Sequence, residues 1–161
     1  NTHLAGSAGV VTGAVLTRLL GGKTDIIMML NGALAGLVAI TAEPLTPTPF
    51  LAIVIGSIGA IIMYFGTKFL EKQRLDDVVG AIPVHMFAGI FGTLIVPISN
   101  PDTNFGTQLL GVISVSVFSF VLSYIIFKIL KETLGLRISK EAEKLGTDKA
   151  EVGVIAYSIR D

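Results

Sequence analysis

Long apolar runs separated by short polar connectors dominate the chain. Five runs contain no Asp, Glu, Lys or Arg, and each has the length of a membrane-spanning helix. Backbone polar groups in lipid must be paired within the spanning structure, and these runs lack the two-residue alternation of a β-barrel strand. The pattern therefore predicts an all-α, polytopic membrane helix bundle. Its five transmembrane helices are expected at residues 1–18, 26–42, 49–68, 77–97 and 105–131.

The alternative is a soluble domain in which these runs are buried core helices. Composition argues against it, because 52% of the residues are hydrophobic, only 15% are charged and the mean hydropathy is +0.76. Ordinary soluble domains are about 25% charged, and the remaining polar sequence is too short to cover five apolar helices. The formal net charge is zero, so we expect no nucleic-acid partner.

Lysine and arginine report the orientation of the bundle. The connectors after helices 1 and 3 and the tail after helix 5 carry all twelve basic residues, whereas the other two connectors carry none. By the positive-inside rule, the basic side is cytoplasmic. We therefore predict a transmembrane bundle over residues 1–134 and a cytoplasmic tail over residues 135–161, in a multi-pass protein of the plasma (inner) membrane. The chain starts with Asn1 at the opening of a helix, as a fragment of a longer protein would.

Glycine spacing predicts close helix packing. Gly6, Gly9 and Gly13 are stacked on helix 1, and Gly32 and Gly36 form a small-xxx-small pair on helix 2. Small residues at this spacing let helix backbones approach each other in lipid.

His85 is the candidate functional residue, because an ionisable side chain inside a membrane span marks a functional site by default. On a 3.6-residue period it shares a face with Val78, Ala81 and Gly89, together with Ala88 and Gly92, and these small neighbours leave room around the imidazole. We interpret His85 as a pore-lining proton acceptor or donor, with Val78, Ala81 and Gly89 as pore-lining candidates. An interhelical hydrogen bond is the alternative role.

Other residues near His85 have structural interpretations. Asp76 and Asp77 stand where carboxylates cap the start of helix 4, and Pro83 is expected to kink that helix. His3 lies at the outer end of helix 1, too far from His85 in depth for direct contact, and is interpreted as an interfacial or packing residue. The sequence has no cysteine, no phosphate-binding GxxxxGK[ST] motif and no metal-ligand cluster. We therefore expect no metal, no cofactor and no enzymatic activity.

Three strings together resemble one family, the ammonium transporters of the Amt/Rh type. NGALAGLVAITA (31–42) resembles the family's eighth helix, and DDVVGAIPVHMFAGIFGTL (76–94) resembles its tenth, which usually reads close to DDPVGAISVH. GLRISKEAEKLGTDKAEVGVIAY (135–157) is similar to the family's cytoplasmic tail. The chain departs from the family pattern at Val78, where proline is usual, at Pro83, where serine is common, and at Val152, where the tail usually has histidine.

The resemblance implies that this chain corresponds to helices seven to eleven and the tail of an eleven-helix fold. It implies a homotrimer with a pore in each subunit, in which ammonium is deprotonated and ammonia passes a pair of histidines. Only the second of that pair carries over, as His85; the first belongs to helices one to six, a missing partner half. The tail would dock a PII-type signal protein. Its motif residues here are Gly135, Leu136, Arg137, Asp148, Gly153 and Tyr157.

Two alternatives stay open. An Amt-like membrane sensor would signal ammonium through the tail without much transport. A split subunit would assemble with a separately encoded first half.

Overall fold

The computed structural model describes residues 1–156, and these form helices without β-strands. Helix α4 combines a π-helical segment, Ile82–Phe87, with an α-helical segment, Ala88–Ile95, and a final 3₁₀ turn, Val96–Ile98. The helices are α1 (Thr2–Gly21), α2 (Ile26–Thr41), α3 (Pro49–Lys72), α4 (Ile82–Ile98), α5 (Phe105–Thr133) and α6 (Lys140–Leu145), followed by a π-helical turn, Asp148–Val152.

Local sequence explains where the helices begin and end. Asp25 and Thr48 cap α2 and α3, accepting hydrogen bonds from the amides of Met28 (3.1 Å) and Leu51 (3.2 Å). Helix α1 ends at Gly22, whose φ of 75° is the left-handed conformation favoured by glycine at helix C-termini. Compared with the predicted spans, α1, α3 and α5 continue for two to four residues beyond their predicted C-terminal ends.

Three helices, α1, α3 and α5, are long and apolar enough to cross a membrane by length and composition. The other two apolar helices, α2 and α4, are shorter. With 16 residues and about 1.5 Å per residue, α2 covers roughly 24 Å of an approximately 30 Å hydrocarbon core. That five helices span the bilayer therefore remains a prediction.

The chain divides into two compact units, Asn1–Ser114 and Val115–Asp161. In the first unit, glycines bring α1 and α2 into backbone contact. A Cβ atom added at Gly9 would overlap the carbonyl oxygen of Gly32, and one added at Gly13 would lie 2.8 Å from that of Met28. Residue numbers rise along α1 as they fall along α2, so the two helices are antiparallel.

Helices α3 and α4 complete the packing of the first unit. One core cluster joins α1, α2 and α3 through Ala5, Ala39, Ile40, Ala52 and Ile55. A second joins α2, α3 and α4 through Ala35, Met63, Val84 and Ala88. The core is built mostly from small side chains, which is the close packing that membrane helices use in place of a water-driven hydrophobic force.

Polar contacts hold one end of the first unit together. The side-chain amide of Asn1 donates hydrogen bonds to the carbonyls of Pro44 (3.0 Å) and Pro47 (2.6 Å). Glu43 accepts a hydrogen bond from the Asn100 amide at 3.1 Å. This end contains the start of α1 and the connectors that follow α2 and α4, and these connectors carry none of the basic residues.

In the second unit, residues 115–127 of α5 carry no charge, are mostly apolar and are all exposed. An apolar helix with no covered face belongs in a lipid or protein environment. The tail carries α6, which Ser139 caps by accepting a hydrogen bond from the Ala142 amide at 3.1 Å.

Candidate functional site

His85 lies in the first turns of α4, within the π-helical segment. Its side chain is exposed, and Ala81, Ile82 and Met86 beside it are exposed as well. The opposite side of the segment is buried against the bundle, where Pro83 and Val84 are among the most completely covered side chains of the first unit. The imidazole is therefore carried on the face of α4 that points away from α2 and α3.

The start of α4 lies inside the bundle rather than at its end. A Cβ atom added at Gly66 of α3 would meet the ring of Phe87 and would lie 3.1 Å from the Pro83 side chain, so these residues are at the same level. Gly66 is six residues before Lys72, the last residue of α3. At about 1.5 Å per residue, His85 is thus roughly 9 Å inside the end of α3.

The chain that enters α4 is not helical, so its polar groups need other partners. The Asp77 carboxylate supplies two, accepting hydrogen bonds from the backbone amides of Ala81 and Ile82, both at 2.8 Å. Asp76, by contrast, is exposed to solvent. Asp77 thus caps the amides at the start of α4.

Asn31 of α2 provides a third partner for the entry segment. Its side-chain amide donates a hydrogen bond to the carbonyl oxygen of Val79 at 3.0 Å. Gly80 follows with φ of 75°, and a Cβ atom there would lie 2.7 Å from the Asn31 amide nitrogen. Sequence reasoning missed both roles. One signal was available in the sequence: Asn31 is the only amide side chain in the apolar helix α2.

The structure corrects the predicted face around His85. Val78 lies in a turn before α4, so it does not share a helical face with His85, and the predicted helix start at residue 77 is wrong. Ala88 and Gly92 are buried against the bundle, away from His85. In a π-helical segment the backbone hydrogen bonds join residues i and i+5, and a turn contains more than 3.6 residues. A face predicted with a 3.6-residue period therefore does not continue from the π-helical segment into the α-helical part of α4.

The other members of the predicted face occupy different positions. Ala81 is exposed close to His85, whereas Gly89 is half-buried with Val38 of α2 beside it. Pro83 was expected to kink the interior of the helix, but it lies in the first turn, where its missing N–H group costs little. His3 is exposed at the opposite end of the bundle, in the first turn of α1.

The tail residues fall into two local structures. Gly135 has φ of 79° just after α5, and Leu136 and Arg137 beside it are exposed. Asp148 organises a loop that closes at Gly153, which has φ of 75°: the Asp148 carboxylate accepts a hydrogen bond from the Ala156 amide at 2.9 Å.

The pKa of Asp148 is lowered, first by this bond from Ala156 and next by the amide of Lys149. Tyr157 lies outside the described residues.

Chemically, the exposed imidazole can exchange protons and hydrogen bonds. A neutral histidine offers one donor and one acceptor on its two ring nitrogens. In the part of the chain that the structure describes, His, Cys, Asp and Glu side chains form no group that could hold a metal ion. The site is therefore a single proton-exchanging group on an open helix face.

An apolar helical bundle with three helices long enough to cross a membrane has the architecture of a polytopic membrane protein. The chain belongs to the Ammonium Transporter Family, whose model matches residues 1–157. This confirms the family predicted from the sequence, and the fold is that of a membrane helix bundle.

Several relatives and solved structures match the chain along its length. It is 40% identical to the ammonium transporter Amt2 of Archaeoglobus fulgidus, covering 98% of this chain and 38% of that protein. It is 34% identical to the ammonium transporter Amt1 of Methanocaldococcus jannaschii, with 98% and 41% covered. A structure titled Sensor Amt Protein superposes with a TM-score of 0.85 at 34% identity, covering 94% of this chain and 40% of that one. Mep2 of Candida albicans gives 0.80 at 26% identity, with 95% and 38% covered. The chain thus spans less than half the length of these proteins.

Proposed function

We propose that this chain forms part of a membrane protein that transports ammonium, and that His85 belongs to the wall of its pore. The observation that carries this proposal is the exposed imidazole, which lies on the side of α4 that faces away from α2 and α3 and at the level of the interior of α3. The chain belongs to a family whose curated relatives are named as ammonium transporters, and this supports ammonium as the substrate.

The chemistry of the side chain suits that substrate. Moving a charged group such as ammonium into hydrocarbon is costly, whereas ammonia is neutral once a proton has been removed. The imidazole of His85 can accept or donate a hydrogen bond to ammonia, and it can pass a proton to a second ring. In this proposal a second histidine, outside this chain, completes the pair.

The test is the variant His85→Ala in the full-length protein, with methylammonium uptake and cation selectivity as the measurements. We expect a large change in flux or in selectivity, because the proton-exchanging group is removed. His3→Ala is the matched control, since its imidazole is also exposed but lies at the other end of the bundle, and it should leave both quantities unchanged. Unaltered flux and selectivity in the His85 variant would remove this residue from the mechanism.

A polypeptide restricted to residues 1–161 is expected not to conduct. The face of α4 that carries His85 is open in this chain, so the ring is not enclosed in a conduit, and apolar faces of several helices are uncovered. Cells that produce only this polypeptide should show no saturable methylammonium uptake. Co-production with a six-helix first half is the corresponding test of a split subunit, and restored uptake would support that form of the protein.

A second candidate function is ammonium sensing, which the likeness to the structure titled Sensor Amt Protein favours. A sensor would bind ammonium with little flux. Measuring ammonium binding and uptake on the same preparation separates the two functions: binding with negligible uptake indicates a sensor, and rapid uptake indicates a transporter.

The proposed setting is a homotrimer in the plasma membrane with a cytoplasmic C-terminus. The lysines and arginines of the first unit support the orientation, because they lie in the last turns of α1 and α3 or in the connectors after them and are absent from the connectors at the other end. The tail, with its loop around Asp148, would offer a docking surface for a PII-type signal protein. Protease accessibility of the tail in oriented vesicles tests the orientation.

A further inference from the structure

Helix α4 contains a π-helical turn, and His85 lies within it. The backbone amide of Ala88 bonds the carbonyl oxygen of Pro83, five residues earlier, as well as that of His85. Turns with i to i+5 bonds are rare and are found frequently at functional sites. Here the turn coincides with the one ionisable residue of α4, and the packing of the segment shows what holds it in place.

The π turn changes the direction in which His85 leaves the helix. The bundle-facing side of α4 is marked by Val84, Ala88 and Gly92, which are buried at intervals of four residues. His85 precedes Ala88 by three residues. In a continuous α-helix, at about 100° per residue, the two residues would lie only about 60° apart around the axis. A π turn contains more residues, so three steps leave a larger angle, and His85 is carried away from the buried side.

Gly66 of α3 is the residue against which this turn packs. A Cβ atom added there would lie 2.5 Å from Cδ2 and 3.0 Å from Cε2 of the Phe87 ring, and 3.1 Å from Cβ of Pro83. Pro83 and Phe87 lie close to the two ends of the segment Ile82–Phe87. The missing side chain on α3 therefore makes room for both ends of the π turn.

The other two buried glycines of α3 have different neighbours. A Cβ atom added at Gly56 would meet the backbone of Ala5 on α1, and one added at Gly59 would meet Ala35 and Ala39 on α2. These two glycines set the spacing of α3 from α1 and α2. The nearest neighbours of Gly66, by contrast, belong to the segment that carries His85.

We propose that Gly66 is a positioning residue for His85. By accommodating the Phe87 ring and the Pro83 side chain, it stabilises the π turn, and the π turn holds the imidazole on the open face of α4. A side chain at residue 66 displaces Phe87 and Pro83. The rare π turn then loses its packing to the ordinary α-helical turn, which rotates His85 toward the buried side. The inference rests on the proposed role of His85 in the pore.

The test is methylammonium uptake and its selectivity over potassium in the full-length protein, measured per folded molecule. Gly66→Ala should change these quantities by about threefold to tenfold in the direction of His85→Ala, because the ring is misplaced but not removed. Gly59→Ala is the matched control, since an added Cβ atom there is similarly crowded, 2.8 Å from atoms of Ala35 and Ala39, but its neighbours lie on α2. It should lower the unfolding temperature and leave uptake and selectivity unchanged.

A compensating variant separates positioning from a general loss of stability. Phe87→Val shortens the side chain that the added Cβ atom would meet, and alone it leaves a gap beside Gly66. Gly66→Ala fills that gap, so uptake and selectivity in the double variant should be closer to those of the unaltered protein than in either single variant. If Gly66→Ala does not fold, the double variant compared with Phe87→Val still decides. Absence of rescue, or a change in Gly59→Ala as large as that in Gly66→Ala, would overturn the inference.

The same measurements distinguish a failure of this inference from a failure of the proposed function. If His85→Ala changes uptake or selectivity and Gly66→Ala does not, Gly66 has no positioning role and the assignment of His85 to the pore stands. If His85→Ala changes neither quantity, the assignment of His85 fails and the positioning role of Gly66 is overturned with it.

Discussion

The side-chain amide of Asn31 and the carbonyl oxygen of Val79 are joined by a hydrogen bond of 3.0 Å, which ties α2 to the segment that enters α4. The two residues are far apart in sequence, and the segment from Leu75 to Gly80 is not helical. His85 follows Val79 by six residues. The position of the imidazole therefore depends on a contact made by a helix that does not carry it.

We predict that Asn31→Ala loosens the start of α4. The variant removes an exposed hydrogen bond to the Val79 carbonyl, at a cost of about 0.5–1.5 kcal/mol. Hydrogen exchange followed by mass spectrometry should show faster exchange over residues 79–86. Asn100→Ala is the control, because Asn100 bonds Glu43 at the opposite end of the first unit; it should leave exchange over 79–86 unchanged. Equal protection in both variants would show that the Asn31 bond does not hold the segment.

A side chain at Gly80 should cost more than the left-handed backbone alone. Gly80→Ala places an L-residue at φ of 75° and brings its Cβ atom to 2.7 Å from the Asn31 amide nitrogen. Gly22→Ala is the matched control, because Gly22 has the same φ of 75° but an added Cβ atom would have no neighbour within 4 Å. Both variants lose about 1–2 kcal/mol from the left-handed backbone, and Gly80→Ala should lose about 0.5–1.5 kcal/mol more, because the Asn31 amide must move away from its hydrogen bond to Val79. Thermal unfolding in detergent measures the difference, and equal losses would contradict the close contact.

Asp77 and Asp76 are adjacent carboxylates that should behave differently. Asp77→Ala removes the acceptor for the amides of Ala81 and Ile82 and should cost about 1–2 kcal/mol, as the loss of a helix cap does. Asp76→Ala should fall within about 0.5 kcal/mol of the unaltered chain, because Asp76 is exposed. Unfolding temperatures of the two variants test this contrast, and a larger loss at Asp76 would reverse the assignment.

The sequence was sufficient to predict helix content, helix order and family, because these depend on properties that a linear pattern records. Charge-free runs locate the apolar helices, and the order of the three motifs identifies the family, which the match to residues 1–157 confirms. Glycine spacing also predicted close packing, as the approach of Gly9 to Gly32 shows.

The geometry around His85 was less predictable, because it depends on contacts between distant residues. A 3.6-residue period placed Val78, Ala88 and Gly92 on the face of His85, but the chain is non-helical at Val78 and π-helical from Ile82 to Phe87. Buried Pro83 and Val84, packed against α3 and α2, fix which side of this segment faces the bundle. No periodicity in the sequence reports such a change in helix type.

Asp148 leads to a prediction about pH. Hydrogen bonds from the amides of Ala156 and Lys149 lower the pKa of its carboxyl group below the ordinary value of 3.8. Because the folded loop holds the charged form, the stabilisation is present above pH 3.8 and is lost as the pH falls through the lowered pKa. The loop that Asp148 closes with Ala156 should thus persist at neutral pH and open as the pH falls through this lowered pKa.

The amide proton of Ala156, followed by NMR during an acid titration, measures the opening directly. Its chemical shift should stay constant from neutral pH down to about 4 and then change with a midpoint below 3.8, the ordinary carboxyl value. Asp148→Asn cannot titrate at this position, so the same proton should show no step in that variant. A midpoint at or above 3.8 in the unaltered chain would mean that Ala156 does not stabilise the charged carboxylate.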